Sequence, residues 1–202
     1  MANTNAPFGL RPIRYVDGRP YNGAVEYYFA TGATGVIRPG DPVVDAGSAN
    51  TTEIQGYAPG TLPTCTIALD GAGDPIVGVC VAVLPVTRDS LIYRETSTDR
   101  IILVARGHDL IFEAQCDAGG TALAAADVGQ LVVLKAGTTS TLRSDWVVDT
   151  AVAPNTTATF QAKLMGFGKG VKNEIGAYAV VELLLNNHTL GNITDAGRST
   201  PV

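Results

Sequence analysis

The chain has 202 residues, 46% of them hydrophobic and 16% charged, with 14 lysines and arginines against 19 acidic residues and a net charge of −5. That length fits one domain, whose folding is expected to bury roughly 70% of the unfolded surface, so neither a disulfide nor a metal is needed to hold a core. The acidic balance excludes a general nucleic-acid binder, which needs a surplus of lysine and arginine to neutralise phosphates, and no apolar run is long enough to cross a bilayer as a helix.

Residues 1–23, MANTNAPFGLRPIRYVDGRPYNG, carry anchors without a regular pattern. Pro7, Pro12 and Pro20 remove backbone donors and favour extended geometry before them, and Gly9, Gly18 and Gly23 add turn points. Between these breakers stand Phe8, Leu10, Ile13, Tyr15 and Tyr21, interleaved with Arg11, Arg14 and Arg19. A disordered leader is poorer in such side chains. The stretch therefore reads as an extended arm with anchors to bury against a partner; the alternative is an ordinary first strand packed on its own domain.

From Ala24 the pattern changes to short β-like runs between Gly, Pro, Asp, Asn and Thr. AVEYYFA (24–30) is the first, and RPGDPVV (38–44) is a turn leading into a strand that Pro42 places at an edge or a start. TTEIQGY and TCTIAL follow as further candidates, with APGTLP a loop between them. PIVGVCVAVLPVT, from Pro75, is nearly continuous in Val, Ile and Leu and marks the centre of the core. LIY (91–93) is a short candidate. DRIILVAR (99–106) and DLIFEAQ (109–115) suggest a hairpin about Gly107 and His108. ALAAADV, capped by Thr121, amounts to a short helix or a loop. LVVLK, STLRSDWVV, ATFQAKLMGFG (158–168) and AYAVVELLLNN (177–187) resume strand character. About ten strands with little helix predict an all-β fold, a single β-sandwich or β-barrel-like domain. The expected division is an arm over 1–23, a β-rich body over 24–190 and a flexible tail over 191–202.

Catalytic and metal signatures are thin. His108 and His188 are the only histidines, and Cys65, Cys80 and Cys116 form no CxxC pair. The cysteines read as small buried hydrophobes, and their odd number fits synthesis in a reducing compartment. No signal-peptide pattern precedes the sequons at Asn50, Asn155, Asn187 and Asn192, which read as chance. Cys116 with His108 makes a weak nucleophile pair. GFGKG (166–170) lacks the spacing of a phosphate loop and reads as a turn between strands. Asp70 and Asp74 in DGAGDP are too few for a calcium loop. Trp146 is either a sheet or subunit anchor or a carbohydrate platform. Neither a catalytic residue, a metal nor a cofactor is expected.

Three stretches, NAPFGLRPIRYVDGRPYNG, AVEYYFATGATGVIRPGDPVV and GAYAVVELLLNNHTL, resemble the head decoration, or capsid cement, proteins of tailed bacteriophages. The resemblance implies a small β-rich structural protein, not an enzyme, bound to the outside of an assembled capsid. Such proteins are commonly trimers near local three-fold positions and brace the shell against internal DNA pressure. The implied partners are the major capsid protein and further copies of the chain as a homotrimer, with no nucleic acid and no membrane. The implied location is the exterior of the virion, after synthesis in the host bacterial cytoplasm. On this reading Phe8, Leu10, Tyr15 and Tyr21 anchor the arm, and Arg11, Arg14 and Arg19 pair with acidic groups or carbonyls. The rival readings are a receptor- or glycan-binding tail or fibre module using Trp146, and a hydrolase dependent on His108.

Overall fold

The computed structural model describes residues 3–71, 73–137 and 142–189. It is all-β, with a single turn of 3-10 helix at Ala125–Asp127 where the sequence suggests a short helix or loop. Five strands close a barrel: β2 (Val25–Phe29), β3 (Pro42–Ala49), β4 (Pro63–Ile67), β5 (Ile76–Val83) and β6 (Arg100–Arg106), in the order β2-β4-β3-β5-β6. Beside it lies an open antiparallel sheet in the order β1-β7-β12-β11-β8. Its members are β1 (Arg11–Tyr15), β7 (Leu110–Gln115), β8 (Leu131–Val132), β11 (Ala162–Phe167) and β12 (Val180–Leu185). A small ribbon pairs β9 (Leu134–Lys135) with β10 (Val147–Val148).

Alternation explains how the two units join. Tyr27 and Phe29 of β2 are fully buried with Val43, Cys65, Ile102 and Val104 in the barrel's own cluster. β5 contributes to two clusters at once. Val77, Cys80 and Val83 enter the barrel cluster, whereas Ile76 and Val79 join Leu110, Phe112, Val181 and Leu183 in the layer beneath the open sheet. A strand covered on both faces has no polar side to show, which is why its sequence is continuously apolar. Pro42 opens β3, where a missing N–H is tolerated.

Several expectations are corrected. β6 and β7 do not form a hairpin: β6 pairs with β2 and β5, and β7 with β1 and β12, so Gly107–His108 is the crossing from barrel to sheet. TTEIQGY is a tight turn, with Ile54 bridging Tyr57 across Gln55 and Gly56, both in the left-handed region that two-residue hairpin turns require. LIY is not a strand; only Arg94, just beyond it, bridges Ile37.

The largest correction concerns the N-terminus. Residues 11–15 form β1, the outer strand of the open sheet, antiparallel to β7. The chain then folds back over that strand's outer side, with Tyr15 N donating to Arg19 O at 2.8 Å and Tyr21 N to Ile13 O at 3.4 Å. Residues 3–23 thus supply a packed strand rather than an arm standing off the body, because Leu10, Tyr15 and Tyr21 find a core in their own chain. The tail expected over 191–202 lies outside the described residues.

Candidate functional site

The seven predicted anchors are all in the N-terminal segment, and each has a partner in the same chain. Leu10 is 1% exposed within the core, its N–H donating to Gly40 O at 2.9 Å. Just before it, Gly9 (φ +72) passes so close to the 40–41 turn and residue 144 that an added Cβ would lie 2.2 Å from Ser144 Oγ. Only glycine meets both conditions. Tyr15 and Tyr21 pack partly buried against the same core, with the Arg19 guanidinium over the Tyr15 ring at 5.0 Å. Phe8 lies under Arg11 at 5.1 Å.

The arginines form a charge ladder on the outer face of the open sheet. In register, Arg11 stands opposite Glu113, and Glu113 stands opposite Glu182 on the next strand. Two glutamates facing each other across a strand pair repel. Each is answered by β1: Arg11 Nη2 reaches Glu113 Oε2 and Arg14 Nη2 reaches Glu182 Oε2, both at 2.5 Å. Arg19 pairs locally with Asp17 at 2.5 Å; its backbone N–H, donating to Asp17 Oδ1, and then its guanidinium hold the Asp17 carboxyl below its ordinary value. The acidic groups expected on a partner are therefore on this chain. Sequence reasoning missed Glu113 and Glu182, although one glutamate inside DLIFEAQ and another inside AVVELLL was a readable signal: a carboxylate in an apolar strand needs a cation nearby.

Gln115, also missed, fastens the residues before β1. It is 4% exposed; its Nε2 donates to Thr4 O at 2.9 Å and Tyr178 O at 3.0 Å, and its Oε1 accepts from Ala6 N. Between this segment and the barrel lies an open cleft of about 370 Å³ lined by Phe8, Pro12, Tyr21, Pro39 and Val81, with Arg11 on its rim. Phe8, Leu10, Arg11 and Tyr21 thus converge on one surface feature, whereas Arg14, Tyr15 and Arg19 do not line it.

The remaining chemical candidates are dispersed. Trp146 is 2% exposed within the core, so it cannot act as a carbohydrate platform. Cys116 and His108 sit beyond opposite ends of β7, a separation of roughly 20 Å at strand rise. Burial pushes the Cys116 thiol up to about 12, and raises Cys65 and Cys80 as well, the reverse of an activated nucleophile. Asp70 accepts from Ala136 N and Asp74 from Leu69 N, closing loops. Among the described residues, no group of three or more His, Cys, Asp and Glu is placed to hold a metal, and no helix is long and apolar enough to cross a membrane.

Compared with family models, curated proteins and solved structures, the chain matches none.

One more unforeseen residue shapes the surface. Arg94 is fully buried at the barrel end, stacked over Phe29 at 4.6 Å. Its guanidinium donates to the carbonyls of Thr98, Gly35, Ala30, Thr31 and Ala33 at 2.5–3.3 Å. Burial lowers its pKa, yet arginine stays charged in proteins. This one side chain ties the 30–37 loop to the 94–98 turn. Val86, Leu91 and Ile92, on the same long connection before it, remain exposed.

Proposed function

We propose that the chain is a structural virion protein that decorates the outside of a tailed-phage capsid and stabilises the shell, acting by surface contact rather than by catalysis. The observation that carries this reading is where the large apolar side chains remain outside. Both cores are filled by the chain's own residues, while Val86, Leu91, Ile92, Val171 and Ile175 stand exposed on loops between strands. Exposed branched side chains on a well-packed body suit protein–protein contact. The likeness of the opening, early-strand and closing stretches to capsid cement proteins supports the same reading. On a closed lattice, many identical modest contacts add through multivalency, so no single deep pocket is needed. The major capsid protein and further copies of this chain, as a homotrimer, are the partners proposed.

The N-terminal segment enters this proposal through the Phe8–Tyr21 cleft and the exposed Arg11, not as a free clamp. The test uses the full chain, because deleting residues 2–21 would remove β1. Shells of the phage that encodes the chain, stripped of it, are incubated with the purified protein and sedimented, and DNA release on heating is compared with and without it. Saturable binding and a higher release temperature are expected. Binding to tails and not to shells would overturn the reading.

A further inference from the structure

The connection between β11 and β12, residues 168–179, exposes aliphatic side chains yet is held by hydrogen bonds at several points. Val171 is fully exposed and Ile175 is 55% exposed. A loop that merely joined two strands would place polar residues there. Mobility is not the explanation, because the main chain is tied at several points. Asn173 Nδ2 donates to Gly168 O and Val180 O, and its Oδ1 accepts from Val180 N, all at 2.8 Å. From the other side, Asn3 Nδ2 donates to Glu174 O at 2.7 Å and Ala177 O at 3.0 Å, and its Oδ1 accepts from Glu174 N at 3.0 Å. Tyr178 adopts φ +58, a left-handed conformation costly for an aromatic residue, and its carbonyl is held by Gln115. Such backbone strain persists where surrounding contacts over-determine it, and it gathers at functional places.

The charges of the loop point outward as well. Arg11, Arg14, Arg19 and Lys135 are all engaged in ion pairs, whereas none of the ion pairs among the described residues includes Lys169 or Lys172, which flank Val171 and are both exposed. Glu174 is the one acid of the stretch, and its backbone is clipped by Asn3. Beside Ile175, a cleft of about 250 Å³ opens against Asn3, Gly176 and Tyr178.

We propose that this loop is the docking element of the chain: Val171 and Ile175 enter an apolar pocket on an acidic protein surface, and Lys169 and Lys172 pair with carboxylates around it. This rests on the capsid-decoration reading and moves its main contact from the N-terminal segment to the loop. A preformed loop loses little entropy on binding, so two aliphatic anchors and two cations suffice for a contact repeated over a lattice. An acidic protein suits the loop better than a polyanion. The tip, residues 169–175, carries no aromatic to stack on bases and no interfacial Trp or Tyr to sit in lipid.

The test compares the full chain with two double variants, V171D/I175D and K169E/K172E, and with V128D, an exposed valine on another loop, for co-sedimentation with stripped shells. K169A/K172A guards against effects of charge reversal on folding, and thermal unfolding checks each protein. Both loop variants are expected to weaken shell binding about tenfold or more, and V128D to bind normally. The lysine effect should shrink at about 0.5 M salt, where screening is nearly complete, while the aliphatic effect persists. Undiminished binding by both loop variants overturns the loop as the docking element and leaves the capsid reading standing; no binding by the unaltered chain overturns both. Lysine-dependent binding to duplex DNA or to phosphatidylglycerol vesicles, without shell binding, overturns the acidic protein partner.

Discussion

The N-terminal segment and the 168–179 loop touch each other through Asn3, and both are rich in cations and apolar side chains, yet they dispose of them in opposite ways. In the segment, Leu10 is in the core, Arg11 and Arg14 answer Glu113 and Glu182, and Arg19 answers Asp17. In the loop, Val171 and Ile175 face solvent and Lys169 and Lys172 are in no ion pair among the described residues. Anchors alone do not mark an interface. What distinguishes one is the availability of the side chain after the chain has satisfied itself, and on that measure the loop is the more exposed to a partner.

The sharpest way to break this contrast is at glycines. Gly9→Val places a branched side chain at φ +72 against Ser144 and Gly40 O, and is expected to destabilise the protein by about 3 kcal/mol or more. In the loop, Gly170→Ala meets nothing nearer than Asn173 Cβ at 3.9 Å, so a change within about 0.5 kcal/mol is expected. Urea unfolding of both variants measures the difference. Equal midpoints would mean that the segment is not seated as described.

A second test addresses the seat itself. Asp41, 1% exposed beside Gly9 and Gly40, has its carboxyl raised to about 6 by burial, against the smaller help of the Ser144 hydroxyl and the Arg38 amide. A raised carboxyl stabilises the folded state fully below its ordinary value near 3.8 and loses that contribution as pH rises through about 6, a span of about 3 kcal/mol. His188, 1% exposed where the chain leaves β12, is held down to about 4, first by burial and then by His108. Its contribution has the opposite slope: present above about 6.5 and lost as pH falls toward 4, again by about 3 kcal/mol. The two nearly cancel between pH 4 and 6 in the unaltered chain. Asp41→Asn is therefore expected to lose stability on acidification over that window, and His188→Gln to gain it, relative to the unaltered chain. Parallel profiles for all three proteins would contradict both assignments.

What was legible in the sequence follows the same division between local pattern and long-range pairing. AVEYYFA and PIVGVCVAVLPVT announce β2 and β5 because alternation and continuous apolarity are properties of a strand and its immediate cover. The all-β class follows from those runs and their turns. The crossing at Gly107–His108, expected as a hairpin, was not recoverable, since a short link looks the same whether it returns along one sheet or crosses to another. The role of Arg94 was hidden for a related reason: its carbonyl acceptors lie at 30, 31, 33, 35 and 98 and meet only when the barrel closes. For the candidate site, composition marked the right segment for aromatics and arginines but not the destination of their charges. Glu113 and Glu182 are about a hundred or more residues away from the arginines they neutralise.

The finest distinction lies within the arginines, and it follows from burial. Glu182 is 6% exposed and faces Glu113, so Arg14→Ala leaves a buried carboxylate beside a like charge. A loss of about 2 kcal/mol is expected. Arg11 has a side chain 64% exposed, where water screens the pair, and Arg11→Ala should cost about 0.5 kcal/mol or less. Arg19 and Asp17 both lie at the surface, with side chains 67% and 53% exposed, and Arg19→Ala should leave the unfolding midpoint unchanged. Raising the salt concentration should narrow the Arg11 difference and leave that at Arg14 largely intact, since a buried pair is poorly screened. If Arg11→Ala proved as costly as Arg14→Ala, the ladder would be acting as one coupled unit. A double-mutant cycle on Arg11 and Arg14 separates the cases: additivity means two independent pairs, and a coupling above about 0.5 kcal/mol means that the facing glutamates share their cations.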